Sequence, residues 1–281
     1  YGTRKVSATR GLIRYLRRHH HTTPSEMVEL KFHCAMPMFV ARQWVRHRTA
    51  NINEYSGRYS LMPLLFYSPD SDQFALQSEA NRQGREAEEA PGELYRQAVE
   101  RWERIREQAA GAYSWMVGEE VARELARIDL PLSTYTQWYW KIDLHNLLHF
   151  LTLRVDPHAQ WEIREYARVM AGMVKRVAPL SYEAWVDYDL EGARFSRADR
   201  RLLARLLEAT GDGGVRARDG AALEEDDLRE LGLSGREIRE LADKIAPDDE
   251  RPDFSLDLSR MRDAREVEEE MHEAVPDVDV H

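Results

Sequence analysis

The spacing of apolar residues along the chain changes repeatedly, and each change marks an element. Leu12, Ile13, Tyr15 and Leu16 recur at helical spacing behind a cap at Ser7 or Thr9, predicting a helix that ends in the basic run before Pro24. Val28, Leu30, Phe32 and Cys34 then alternate with Glu29, Lys31 and His33. A period of two predicts a strand with one face on a core and the other toward water or a site. Pro37 suits the first turn of a helix over roughly Met38–Arg48 that buries Phe39, Val40, Trp44 and Val45. Residues 49–63 read as a polar loop.

A long charged helix is predicted from about Glu93 to Glu119, and a further one carries Val121, Leu125 and Ile128 toward Pro131. Thr134–Trp140 is rich in Thr, Tyr and Trp, which favour a strand or an extended buried segment. Asp143 stands at a cap position ahead of Leu144, Leu147, Leu148 and Leu151, and Asp156–Pro157 opens a helix running to about Ala178. The expected fold class is therefore α+β, a mixed α/β arrangement in which a sheet is flanked by helices. From residue 191 onward the chain loses most aromatics and gains acid, with helix-like pieces at Arg197–Glu208, Glu225–Glu230 and Arg236–Lys244. Two parts are expected: residues 1–190, and an acidic, mostly helical C-terminal extension over 191–281.

Charge sharpens this division. The formal net charge of the 281 residues is -10. Residues 1–190 hold 25 Lys and Arg against 24 Asp and Glu, whereas residues 191–281 hold 15 against 26, so the extension carries the acidity. The single cysteine, Cys34, excludes a disulfide framework, a four-thiolate zinc site and a CxxC redox pair. No run approaches the ~18 consecutive apolar residues of a membrane span, and no signal-peptide pattern opens the chain, so a soluble cytoplasmic protein without membrane association is expected.

Two constellations carry candidate chemistry. In RHRTANINEYSGRY, Arg46–Tyr59, three cationic or potentially cationic side chains end the predicted helix, followed by Glu54, Ser56 and Arg58. Gln43, Arg46 and His47 stand at i, i+3, i+4, so a continuous helix puts them on one face. The two arginines and the glutamine offer forked donors that suit phosphate and a planar base, the alternative being an exposed basic helix end. In DLHNLLHFLTLR, Asp143–Arg154, His145 and His149 are four apart beside a leucine stripe. No HExxH spacing accompanies them, and no metal site is expected. The sequence lacks GxGxxG, GxxxxGK[ST] and GxSxG, which argues against a Rossmann domain, a P-loop and a serine-hydrolase elbow.

Arg46, His47, Arg48, seven residues and Ser56 form a signature that resembles the flavin-dependent thymidylate synthases. HTTP at His21–Pro24, FVARQWVRHR, NEYSGRYS, ARIDLPLSTYT and LRVDPHAQWEIREYA resemble that family in the same order, over about residues 1–190. The resemblance implies that residues 1–190 are a single catalytic domain. It implies reductive methylation of dUMP to dTMP, with methylene-tetrahydrofolate as carbon donor and NADPH reducing a bound FAD. Carried over residue by residue, Gln43, Arg46, Glu54, Ser56, Gly57, Arg58, Arg127 and Arg154 would hold dUMP, and Arg154 would be the catalytic group facing the uracil. His21, Thr23, Arg46, His47, Arg48, Glu54, Asp143, His145 and His149 would line the flavin. Asn51 stands where the family suggests Ser, and Asp143 and His145 where many members carry Asn and Arg. The resemblance further implies a homotetramer with sites shared between subunits and an N-terminally shortened chain beginning at Tyr1. The alternatives are a basic nucleic-acid-binding module and a catalytically inactive scaffold, although no nucleic acid is expected as a partner of the enzyme.

Overall fold

The computed structural model describes residues 9–78, 84–209, 215–218, 234–245, 254 and 264–276. Two compact units emerge: Tyr1–Tyr182 together with Phe254–His281, and Glu183–Asp253. The expected boundary near residue 190 thus falls earlier, and the extension is not one appendage, because its last segment belongs with the first unit.

The first unit opens with α1 (Thr9–Arg18) and α2 (Thr23–Glu26). The first helix stops where His20 takes a left-handed φ of 57°, with His21 N–H donating to Leu16 and His20 N–H to Arg17. Such reversed bonds close off the last helical carbonyls. Ser7, one of the expected caps, lies outside the described residues. The central sheet is β1 (Glu29–Pro37), β2 (Asn51–Glu54) and β5 (Tyr135–Asp143), antiparallel in the order β1-β5-β2. Cys34 opposes Trp138, Phe32 opposes Trp140, and Ile52 opposes Trp140 from the other side. One sheet face therefore carries Met36, Thr136, Trp138, Trp140 and Ile142 into the core. The other displays His33, Asn53, Gln137 and Tyr139, the polar face foreseen from the period-two pattern.

Trp44 is the hub of that core. It sits on α3 (Met38–Trp44) and meets Trp138 and Trp140 edge-on at 5.5 and 5.2 Å, and stacks on Phe150 at 5.2 Å. Aromatic groups in such arrangements contribute beyond their buried area. Two short strands, β3 (Ala75–Gln77) and β4 (Arg85–Glu89), pair separately, and α4 (Gly92–Gly118) and α5 (Arg123–Ala126) follow. The structure ends α4 with the device used at α1: Glu120 has φ 58° and Val121 N–H donates back to Met116. The long helix matches expectation, whereas α5 is one turn only, not an element reaching Ile128. After β5 come α6 (Leu144–Arg154), α7 (Trp161–Val177) and α8 (Pro179–Trp185).

The expected helix over Met38–Arg48 ends at Trp44, and the expected loop over 49–63 contains β2. Arg46 N–H bonds Gln43 and His47 N–H bonds Trp44, so the chain tightens into a turn before entering the sheet edge.

In the second unit, α9 (Arg197–Leu206) begins at a capping box between Ser196 and Asp199. It ends earlier than expected because Leu207 and Glu208 enter β6 (Leu207–Ala209), paired with β7 (Val215–Ala217). Lys244 of α10 (Gly235–Ile245) reaches Asp199 at 3.1 Å. The expected helix at Glu225–Glu230 lies outside the described residues. Back in the first unit, α11 (Ala264–Glu273) was not foreseen. Its Met271 is buried, and Leu64 N–H donates to the Ala274 carbonyl at 2.7 Å. Among the described residues no helix is long and apolar enough to cross a membrane.

Candidate active site

The turn after α3 and the end of α6 meet at one hydrogen bond: Arg154 Nε donates to His47 Nε2 at 2.9 Å. Phe150 meets the His47 ring edge-on at 4.8 Å. Burial, followed by the charge of Arg154 and the proximity of His149, lowers the His47 pKa to about 4. The imidazole is thus neutral at pH 7, and the guanidinium carries the charge of the pair. Among the described residues Arg154 has no carboxylate partner, and burial is the cause that lowers its pKa. The spacing that predicted Gln43, Arg46 and His47 on one helical face needs correction, since only Gln43 is helical. The turn still keeps all three adjacent.

Gln43 Oε1 and His145 Nδ1 are buried and have no hydrogen-bond partner among the described residues. Such groups are costly unless a ligand or water completes them. Arg46 and Arg48 are exposed. His149 is exposed on α6, and α2, which carries Thr23, packs against that helix. His21 lies just before α2 and stacks on Tyr15 at 6.1 Å. Asp143 is different from these. Its Oδ1 accepts Asn146 N–H at 2.9 Å and its Oδ2 accepts the Asn146 side chain at 2.7 Å, so both oxygens serve the start of α6.

A second group forms around Gly57. A Cβ there would stand 2.4 Å from Met62 Sδ and 3.3 Å from Arg127 Cδ, so a side chain at this position would have to push the Met62 side chain aside. Met62 is fixed by its N–H donating to Tyr113 Oη at 2.8 Å. Arg58 N–H points at Ser56 Oγ, 3.4 Å away, and the exposed Arg58 side chain pairs with Glu124 at 3.1 Å. Glu54 joins the sheet, its Oε1 accepting Thr136 Oγ1–H at 2.8 Å. Among the described residues no hydrogen bond or ion pair links the Gly57–Arg58–Arg127 group to the His47–Arg154 pair within this chain.

Beside Glu54 the polar sheet face opens into a cleft of about 430 Å³. His33, Asn53, Gln137 and Tyr139 line it, and His272 and Met271 of α11 close one side. His33 stacks on Tyr139 at 4.7 Å and its Nε2 lies 2.8 Å from Gln137 Oε1. The alternating pattern had flagged the His33 face, but no sequence signal pointed to His272. Cys34 faces the core, where burial pushes its thiol up to about 12, so it offers no thiolate. Among the described residues no cluster of three or more His, Cys, Asp or Glu side chains is arranged to hold a metal.

Comparison with known proteins gives this geometry a context. Residues 2–180 match the family described as Thy1, thymidylate synthase complementing protein. A flavin-dependent thymidylate synthase of Ehrlichia ruminantium (strain Gardel) is 47% identical over 246 residues, covering 87% of this chain and 77% of the relative. The Dictyostelium discoideum protein of the same name is 49% identical over 198 residues, covering 70% of this chain and 65% of that relative. The crystal structure of the UMP/dUMP methylase PolB from Streptomyces cacaoi bound with 5-Br UMP aligns with a TM-score of 0.60 at 35% identity, over 64% of this chain and 83% of that one. With RHR, its following serine and the paired His47 and Arg154 all in place within the matched span, the chain belongs to the Thy1 family, the flavin-dependent thymidylate synthases.

Proposed function

We propose that this chain catalyses the reductive methylation of dUMP to dTMP, taking the carbon from methylene-tetrahydrofolate and using FAD reduced by NADPH. The observation that carries the reading is Arg154: a partly buried guanidinium held by a neutral imidazole, with no described carboxylate to cancel it. Such a charge suits a partner on which negative charge develops during reaction. Facing the uracil, Arg154 would favour the polarised ring and make its reacting carbon more nucleophilic.

The orphaned Gln43 Oε1 and His145 Nδ1 and the exposed Arg46 and Arg48 fit a nucleotide and a flavin diphosphate. In this reading Gln43, Arg46, Ser56, Gly57, Arg58, Arg127 and Arg154 hold dUMP. His21, Thr23, Arg46, His47, Arg48, Glu54, His145 and His149 line the flavin, and Glu54 also borders the nucleotide. Asp143 contributes as the cap that fixes α6 and its histidines, in place of the direct contact expected from sequence. Bound FAD supplies the hydride it receives from NADPH.

In this reading the protein is a cytoplasmic homotetramer in which the Arg58–Arg127 group of one copy and the His47–Arg154 pair of another meet on one nucleotide, as closed symmetric assemblies allow. Exposed Leu125, Ile128 and Leu132 beside Arg127 give such a contact an apolar surface. The catalytic domain comprises the first unit, including α11, while Glu183–Asp253 contributes none of the proposed site residues. The test is direct. The purified protein should take up FAD, sediment as a tetramer and oxidise NADPH faster when dUMP and methylene-tetrahydrofolate are present. A protein that leaves FAD free at micromolar concentration would overturn the reading.

A further inference from the structure

Arg154 and His47 are 107 positions apart, and their hydrogen bond fixes more than a distance. A guanidinium has five N–H donors and no acceptor. His47 Nε2 must therefore offer a lone pair, and the single proton of the neutral ring must reside on Nδ1. We propose that His47 is the positioning residue of Arg154: the Nδ1–H tautomer holds the guanidinium through Nε and leaves its two terminal nitrogens for the substrate. This rests on the reading of Arg154 as the uracil-facing group.

Packing supports the role. Arg154 is the last residue of α6, and a long side chain at a helix end has many rotamers to lose. Phe150, one turn earlier on the same helix, stacks on the fully buried Trp44 and presents its ring to His47 at 4.8 Å. The imidazole is thereby seated against the rigid aromatic core and passes that rigidity to the guanidinium. Burial and the neighbouring Arg154 and His149 keep the ring uncharged well below neutral pH, which preserves the acceptor. A protonated His47 would present a second donor to a group that only donates.

The experiment uses FAD-loaded enzyme with FAD and dUMP both saturating, and with FAD affinity measured separately for each variant. His47→Ala should lower kcat on the order of tenfold or more, as expected when a reacting group is misplaced. His47→Gln, whose Oε1 can accept from Nε, should restore most of that loss. In an Arg154→Ala background the further change His47→Ala should cost nothing more, because the partner it positions is gone. Equal losses from His47→Ala in both backgrounds, or no rescue by Gln, would overturn the proposal. Nitrogen NMR of the wild-type protein near pH 6 provides a readout free of both folding and turnover. An unprotonated Nε2 supports the proposal, and a protonated Nε2 sinks it. Full activity in Arg154→Ala would overturn the uracil-facing reading and with it the functional half of the proposal, while the nitrogen spectrum still decides the hydrogen bond.

Discussion

Two partly buried arginines in the first unit are treated in opposite ways. Arg85, on β4, forks onto Glu162 of α7 with its Nη2 at 2.8 and 3.0 Å from the two carboxylate oxygens. The Tyr67 hydroxyl donates to the same carboxylate at 3.1 Å. Burial by itself would raise the Glu162 pKa, but the bonds and charge of Arg85 override it and hold the carboxyl below its ordinary value. Arg154 has His47 where Arg85 has Glu162. A cation that only joins elements is neutralised within the fold, whereas among the described residues Arg154 meets a neutral imidazole and no carboxylate, the arrangement on which its proposed role rests. Removing a partner should therefore damage stability at Arg85 and chemistry at Arg154.

The largest effect is expected for Arg154→Ala. Turnover with saturating dUMP and FAD should fall roughly 10²–10³-fold, the usual loss for one preorganised charge. Its melting temperature should stay close to wild type, since the side chain ends a helix and its loss opens no core cavity. Unfolding at lower temperature with unchanged kcat would reverse the contrast. Next comes Arg85→Ala, which leaves a carboxylate only 7% exposed without its cation. Breaking such a pair costs about 3 kcal/mol, the low end of the range for buried pairs because Arg85 itself is partly exposed. Denaturant titration should show the loss, and activity per folded molecule should persist. The sign with pH follows from the depressed Glu162 pKa: the pair stabilises above the unfolded value of 4.5 and loses its effect as pH falls through the lower folded value. The gap between wild type and Arg85→Ala should accordingly narrow below pH 4.5. The smallest effect is expected for Asp143→Ala, about 1 kcal/mol from a lost helix cap. FAD affinity, read by fluorescence, should change little. A large drop in affinity with no loss of stability would mean that Asp143 touches the flavin after all.

Legibility in the sequence followed the strength of local periodicity. The β1 strand, α4 and α6 were readable because each repeats a pattern over two or more turns or pleats, and β5 because Thr, Tyr and Trp crowd into its segment. The edge strand β2 was not, since Asn51, Ile52, Asn53 and Glu54 are all exposed and leave no alternation to detect. It is a strand because β5 offers a free edge. The helix after Pro37 was drawn too long because Val45, predicted to be buried, is exposed once Trp44 has filled the core. α11 was invisible for a related reason: its single described buried side chain is Met271, too little to form a stripe. At the site, RHR and Ser56 were readable through the family resemblance. The partnership of His47 with Arg154 was not, because it joins two distant segments and depends on which nitrogen accepts.

The bond between Leu64 and Ala274 has a consequence for how the molecule is made. Its two halves leave the ribosome more than two hundred residues apart, with the whole of Glu183–Asp253 emerging in between. At about 5–20 residues per second the wait is on the order of tens of seconds, longer than most elementary folding events. The central sheet can pair during that interval, but the side of its cleft that Met271 and His272 close must stay open. Nascent chains stalled before residue 264 would carry the whole RHR segment and Arg154 alongside an uncovered cleft, and would be the form of this protein most exposed to chaperones and to premature contact with a neighbouring copy.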